Sequence, residues 1–168
     1  NGEYDKAEES FQRAFQIRKN IGDEYGLGSS YQSIALLSLH KGDSEKALQS
    51  LQQSLVTQKD IDDKSGMGWT ISNLGEFYTE IGEYDKAQDH FSKALEIGEE
   101  LGNKPRIYCA LENMGELYER QNNYNQALEY YKKALEIAHE LQDTSMISYS
   151  LNNIGNAYED DDNEKAID

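Results

Sequence analysis

Cysteine is almost missing from this 168-residue chain, and the single Cys109 leaves neither an internal disulfide nor a partner for thiol chemistry. Basic residues are scarce: 16 Lys plus Arg stand against 32 Asp plus Glu, a formal net charge of −16. A chain this negative repels phosphate backbones and anionic lipid, and no segment supplies a basic stripe, so neither nucleic acid nor a membrane is an expected partner. No apolar run approaches the roughly 18 residues of a membrane span, and there is no N-x-[ST] sequon or signal peptide. A cytoplasmic location follows as the default expectation. The histidines His40, His90 and His139 are far apart and show no H-x-x-x-H spacing, and the glycines form neither GxGxxG nor a phosphate-binding loop. The expectation is therefore no enzyme, no catalytic residues, no metal and no cofactor. What remains, 37% hydrophobic residues, is enough to build a core in a chain of ordinary domain length.

What is present is a repeat. Gly2, Gly42 and Gly82 are spaced by 40, with Asn122 next; Ala7, Ala47, Ala87 and Ala127 keep the interval, as do Gly75, Gly115 and Gly155 and the tyrosines Tyr78, Tyr118 and Tyr158. Asp23, Asp63, Asn103 and Asp143 recur where helix N-caps belong. Within a period, apolar residues fall at helical spacing, for example Met67, Ile71, Leu74 and Tyr78, then Tyr84, Ala87, Phe91, Ala94 and Leu95. Each period is thus two helices. First helices are predicted at 23 to 40, 63 to 80, 103 to 120 and 143 to 160. Second helices are predicted at 3 to 21, 43 to 61, 83 to 101 and 123 to 141. Pro105 sits just inside a helix start, where its missing N–H costs little. Gly75 and Ala87 mark close helix crossings. Gly26, Gly28, Gly66 and Gly68 fall inside helices and read as local softening. Asp160, Asp161 and Asp162 read as a solvated acidic turn, and Ala166 marks a slip of register by one residue.

These residues carry a resemblance. Ile71-x-x-Leu74-Gly75-x-x-Tyr78 followed by Ala87-x-x-x-Phe91-x-x-Ala94 resembles the tetratricopeptide repeat, whose usual unit is about 34 residues. Leu111, Met114, Gly115, Tyr118, Ala127, Tyr131 and Ala134 repeat the match, and Leu151, Ile154, Gly155 and Tyr158 begin it again. The longer unit is similar to the 40-residue repeats of the Leu-Gly-Asn-rich adaptor family and of related bacterial and archaeal scaffolds. The resemblance implies an all-α, right-handed α-solenoid of about four antiparallel helix pairs. One array over 1–168 is expected, with repeats in phase at 23–61, 63–101 and 103–141 and partial units at 1–21 and 143–168. Because Asn1 falls inside the pattern, the chain is expected to be a fragment of a longer protein.

In such a solenoid the exposed stripe of first helices lines the concave face. By register that stripe holds Trp69, Asn73, Glu76 and Glu80, then Glu112, Asn113, Glu116 and Arg120, then Tyr149, Asn152, Asn153 and Asn156. Asn73, Asn113 and Asn153 recur at 40 although asparagine is a poor helix former, and an amide that donates and accepts at once suits an extended peptide backbone. In the adaptors it resembles, an asparagine near Leu-Gly-Asn does similar work; here only Asn156 follows the glycine directly. The leading reading is a protein-interaction scaffold that holds a peptide or helix of a partner in its groove, the partner being basic if the groove glutamates act on it. The alternatives are a structural spacer or head-to-tail self-assembling rod within a larger signalling protein, and thirdly a small-molecule sensor. Tyr4, Ala7, Phe11, Ala14 and Phe15 at one end, with Leu151, Ile154 and Tyr158 at the other, form the apolar faces through which such self-association would run.

Overall fold

The computed structural model describes the backbone of residues 2–165 and the side chains of residues 3–161. Among them are eight helices and no strand: α1 (Gly2–Ile21), α2 (Glu24–His40), α3 (Ser44–Asp60), α4 (Lys64–Glu80), α5 (Tyr84–Glu100), α6 (Lys104–Glu119), α7 (Tyr124–Leu141) and α8 (Thr144–Lys165). The class is all-α, and seven of the helices end close to where the 40-residue period places them. The exception is α8, which continues beyond residue 160. Earlier first helices stop at left-handed residues, Gly42 and Gly82 at φ 77° and Asn122 at φ 57°. Asp162 occupies that register and stays helical, so the acidic run is helix and not a turn. Ala166, where the register slips, lies outside the described residues.

Caps explain the starts. Asp23 accepts from the Gly26 N–H at 2.9 Å, Asp63 from Gly66 at 2.9 Å, Asn103 from Arg106 at 3.1 Å and Asp143 from Met146 at 3.1 Å. The glycines three places after Asp23 and Asp63 do more than soften a helix. A methyl group at Gly26 would lie 2.8 Å from Arg18 Cδ, and one at Gly66 would lie 2.8 Å from Gln58 Nε2; both would strike the capping carboxylate. Asp63 has a second task, because the Tyr25 hydroxyl donates to it at 3.0 Å and ties α2 to the start of α4. Asp63→Ala should therefore cost roughly 2 to 3 kcal/mol, against about 1 kcal/mol for Asp43→Ala, whose exposed carboxylate caps Lys46 alone. Urea midpoints of the two variants would check the difference.

Contacts divide the chain into two compact units, residues 1–77 and 78–168. In the first, α1 packs on α2 and α2 on α3, burying Ala35, Leu37, Ala47 and Leu51. Glu8 of α1 is gripped by Lys41 and Lys46, each at 2.6 Å, and these bonds hold its carboxyl down at about 2. In the second, α5 packs on α6, α6 on α7 and α7 on α8. Its core contains Ala87, Phe91, Met114, Leu117, Tyr118, Ala127, Leu128, Tyr131 and Ala157. The α6–α7 crossing is close: a methyl group at Gly115 would lie 2.5 Å from Cδ1 and 2.9 Å from Cζ of Tyr131.

Candidate functional site

In the first unit, Trp69 of α4 stands in solvent with 56% of its surface exposed, Glu76 is exposed and Asn73 is half-buried. Beneath this surface runs a buried polar ladder. Gln32 Nε2 donates to Thr70 Oγ1 at 2.8 Å, and Thr70 donates to Gln58 Oε1 at 2.8 Å. Ser54 donates to the Gly28 carbonyl at 2.9 Å. Thr70 and Ser54 are fully enclosed, so these bonds satisfy groups that burial would otherwise penalise.

In the second unit the expected stripe splits. Tyr149 is 56% exposed, and Glu80, Glu116, Arg120, Asn152 and Asn156 are exposed with it. Glu112 does not belong to that surface. It is 6% exposed; Ser150 donates to its Oε1, and Asn153 Nδ2 donates to its Oε2 at 2.7 Å. Burial raises the Glu112 carboxyl above its ordinary value, partly offset by the bonds that Ser150 and Asn153 donate. The Tyr108 hydroxyl donates to the Met146 carbonyl at 3.2 Å, and burial pushes it up to about 12, so it stays protonated at neutral pH. Glu112 and Asn153 are thus joined as a brace between α6 and α8. Asn113 is half-buried. Arg120 is spent on its own helix, donating to Glu116 Oε1 through Nε at 3.1 Å and Nη2 at 2.9 Å. Glu119 is half-buried and accepts from the Tyr131 hydroxyl, whose proton burial and that carboxylate hold firmly.

Four polar contacts share an arithmetic that a search for 40-residue identities overlooks. Tyr25 meets Asp63, Gln32 meets Thr70, Tyr108 meets Met146 and Glu112 meets Ser150, all 38 residues apart. Within the first unit α4 meets α2, and within the second α8 meets α6, at an axial slip that puts these four pairs at the period minus two, while Asn153 reaches Glu112 at 41 and Ser150 reaches Tyr108 at 42. Polar pairs at that offset were visible in the sequence. Among the described residues, no group of three or more His, Cys, Asp or Glu side chains is placed to hold a metal, and no helix is long and apolar enough to cross a membrane.

The tetratricopeptide repeat family model matches residues 1–58, 66–140 and 106–168, together nearly the whole chain. The chain belongs to the tetratricopeptide repeat family. No curated protein gave a significant match by sequence. Among solved structures, BtubC (BKLC) from P. vanneervenii superimposes with a TM-score of 0.83 at 21% identity, over 95% of this chain and 66% of that one. Aspartyl phosphate phosphatase F from Bacillus subtilis gives 0.81 at 20%, over 94% and 41%. A signal transduction ATPase with a tetratricopeptide repeat sensor from Pyrococcus horikoshii gives 0.79 at 22%, over 92% and 24%. This tetratricopeptide repeat chain therefore spans between about a quarter and two thirds of these proteins, and the likeness is one of fold: a helical-repeat solenoid. Repeats of this family serve protein–protein interaction and scaffolding, which is the general role the membership gives.

Proposed function

We propose that this chain is one continuous repeat array that holds a peptide or helix of another protein along the solvent-facing stripe of its first helices, in a cytoplasmic setting. The observation that carries the reading is the exposure of Trp69 and Tyr149, each 56%, at the same register position two periods apart. Large aromatics left in solvent on well-packed helices are the residues that supply most energy in recognition surfaces. Asn152 and Asn156 offer amides beside Tyr149, and Glu76, Glu80 and Glu159 make the stripe acidic, which suits a Lys- or Arg-bearing ligand. The repeat sensor named in the P. horikoshii protein is in keeping with this role.

The test is capture of partners from the source cell by the wild-type chain and by a Trp69→Ala, Tyr149→Ala, Asn152→Ala triple variant. All three side chains are exposed, so helical content and melting should hold. Each aromatic truncation should cost about 1 to 2 kcal/mol of binding, so affinity falls well over tenfold. Association should also slow as salt shortens the Debye length from about 30 Å at 0.01 M to about 8 Å at 0.15 M. Unchanged capture by the triple variant favours the spacer reading instead, and a salt-indifferent rate removes the basic partner.

A further inference from the structure

The first unit lacks a pair of rings that the second unit has twice. Tyr78, Tyr118 and Tyr158 share one register, and Ser38 stands in that place on α2. Twelve residues on, where α5 carries His90 and α7 carries Tyr130, α3 carries Ser50. In the second unit the Tyr78 and His90 rings lie 5.2 Å apart between centroids, and Tyr118 stacks on Tyr130 at 5.4 Å. The two serines are buried, and each donates to a carbonyl of its own helix: Ser38 to Ile34 at 2.8 Å, Ser50 to Lys46 at 2.7 Å. A serine side chain does not fill the volume of a ring, and a cavity of about 210 Å³ lies beside Ser38. The space is made by α2 and α3 themselves, at positions interior to the repeat.

Phe11, Ile34 and Leu37 give the cavity apolar walls, and Glu8, Lys41 and Lys46 give it a charged, partly exposed rim. Lys46 shares the register of Lys86, whose Nζ lies over the Tyr78 ring at 5.4 Å from its centroid. The first unit thus keeps the cation that faces a ring in the second unit, with a serine in the place of the ring. We propose that this cavity binds a small phenol, its ring lying where Tyr78 and Tyr118 carry theirs and beneath the Lys46 ammonium. An apolar cavity of about 150 Å³ is enough to take up benzene, so one aromatic ring fits by volume. A cation over the ring face adds an attraction that a saturated ring of the same size does not gain. The phenol hydroxyl is matched at the rim, where the ammonium groups donate and the Glu8 carboxylate accepts. An arylcarboxylate would instead bring a third carboxylate to Glu8 and Asp43, which makes the neutral phenol the better match.

Equilibrium dialysis against p-cresol, the tyrosine side chain as a free molecule, tests this. The wild-type chain should take up one p-cresol with a Kd of about 0.1 to 1 mM, a range open to so small a ligand. The saturated analogue 4-methylcyclohexanol should bind about two- to fivefold more weakly, because it offers the cation no ring face. Ser38→Tyr supplies the ring covalently, so it should melt no lower than wild type and take up no p-cresol. Lys46→Met keeps the unbranched stem and removes the charge, so the preference for p-cresol over the saturated analogue should disappear; this comparison stands independently of how well Ser38→Tyr folds. No uptake by the wild-type chain up to about 10 mM p-cresol overturns the proposal. Uptake that Ser38→Tyr leaves intact also overturns it, because the phenol would then sit on another surface. A preference that survives in Lys46→Met overturns the placement beneath the ammonium. None of these readings depends on the stripe residues Trp69, Tyr149 and Asn152.

Discussion

Gly115→Ala is expected to destabilise residues 78–168 by about 1 to 3 kcal/mol, although alanine is the better helix former. The added methyl would lie 2.5 Å from Tyr131 Cδ1, and that ring has nowhere to go: it is 1% exposed and pinned by its hydroxyl to Glu119. Relief requires α6 and α7 to separate, which loosens the packing of Met114, Leu117, Ala127 and Leu128 around the same crossing. Gly155→Ala is the control. It makes the same chemical change at the same register with no neighbour within 4 Å, so at low protein concentration it should stabilise by up to about 1 kcal/mol. Urea unfolding followed by far-ultraviolet circular dichroism would separate the two by several tenths of a molar at least. Equal effects at both glycines would contradict the close approach at Gly115.

Asn153→Ala should cost about 1 to 3 kcal/mol, far more than truncation of the exposed Asn152 or Asn156. The loss leaves a buried carboxylate with one donor fewer, and a charge removed from water tolerates that poorly. The same carboxylate sets a pH dependence. The carboxyl of Glu112 is raised above its ordinary 4.5 in the folded chain, so the fold binds that proton more tightly than the unfolded chain does. Its contribution therefore favours the fold at low pH and is lost as pH rises from about 4.5 through the raised value. Glu112→Gln removes the charge, keeps an oxygen for Ser150 and lets the Asn153 amide turn its own oxygen toward the new N–H. Stability of that variant should equal or exceed wild type at neutral pH and should not show this decline. Thermal melts of both proteins between about pH 4 and 8 provide the check. A Glu112→Gln chain whose stability declines in parallel with wild type would mean that other groups carry the dependence.

Tertiary contact reassigned several residues that local register had grouped together. Asn73, Asn113 and Asn153 share one phase, and register alone makes all three face a ligand; Asn153 instead serves Glu112. Glu112 and Glu116 differ by one turn of α6, yet one is 6% exposed and the other lies in solvent. Which turn of a first helix is covered depends on how far the neighbouring first helix slides along it. The slip of two residues that brings Glu112 to Ser150 and Gln32 to Thr70 is a property of packing. Asp162 shows the same limit at a helix end: Asp62 and Gln142 take a left-handed φ of 55° just past their helices, yet Asp162, in the register of Gly42, Gly82 and Asn122, continues the helix.

The order of residues was enough to set the period of 40, the pairing of helices, their caps at Asp23, Asp63, Asn103 and Asp143, and the alanines and aromatics of the core. These are readable because each is a local rule: a capping carboxylate reaches only its own first turn, and an apolar stripe repeats with the helix. Packing in three dimensions was needed to establish that Gly115 holds a ring while Gly155 stands open, and that Gly26 and Gly66 make room for capping carboxylates. It was needed equally to make Glu112 a buried brace, whereas Trp69 and Tyr149 are exposed where register placed them. Those outcomes depend on which neighbour covers each face and at what axial offset, and a sequence period is the same for a covered helix and for an uncovered one.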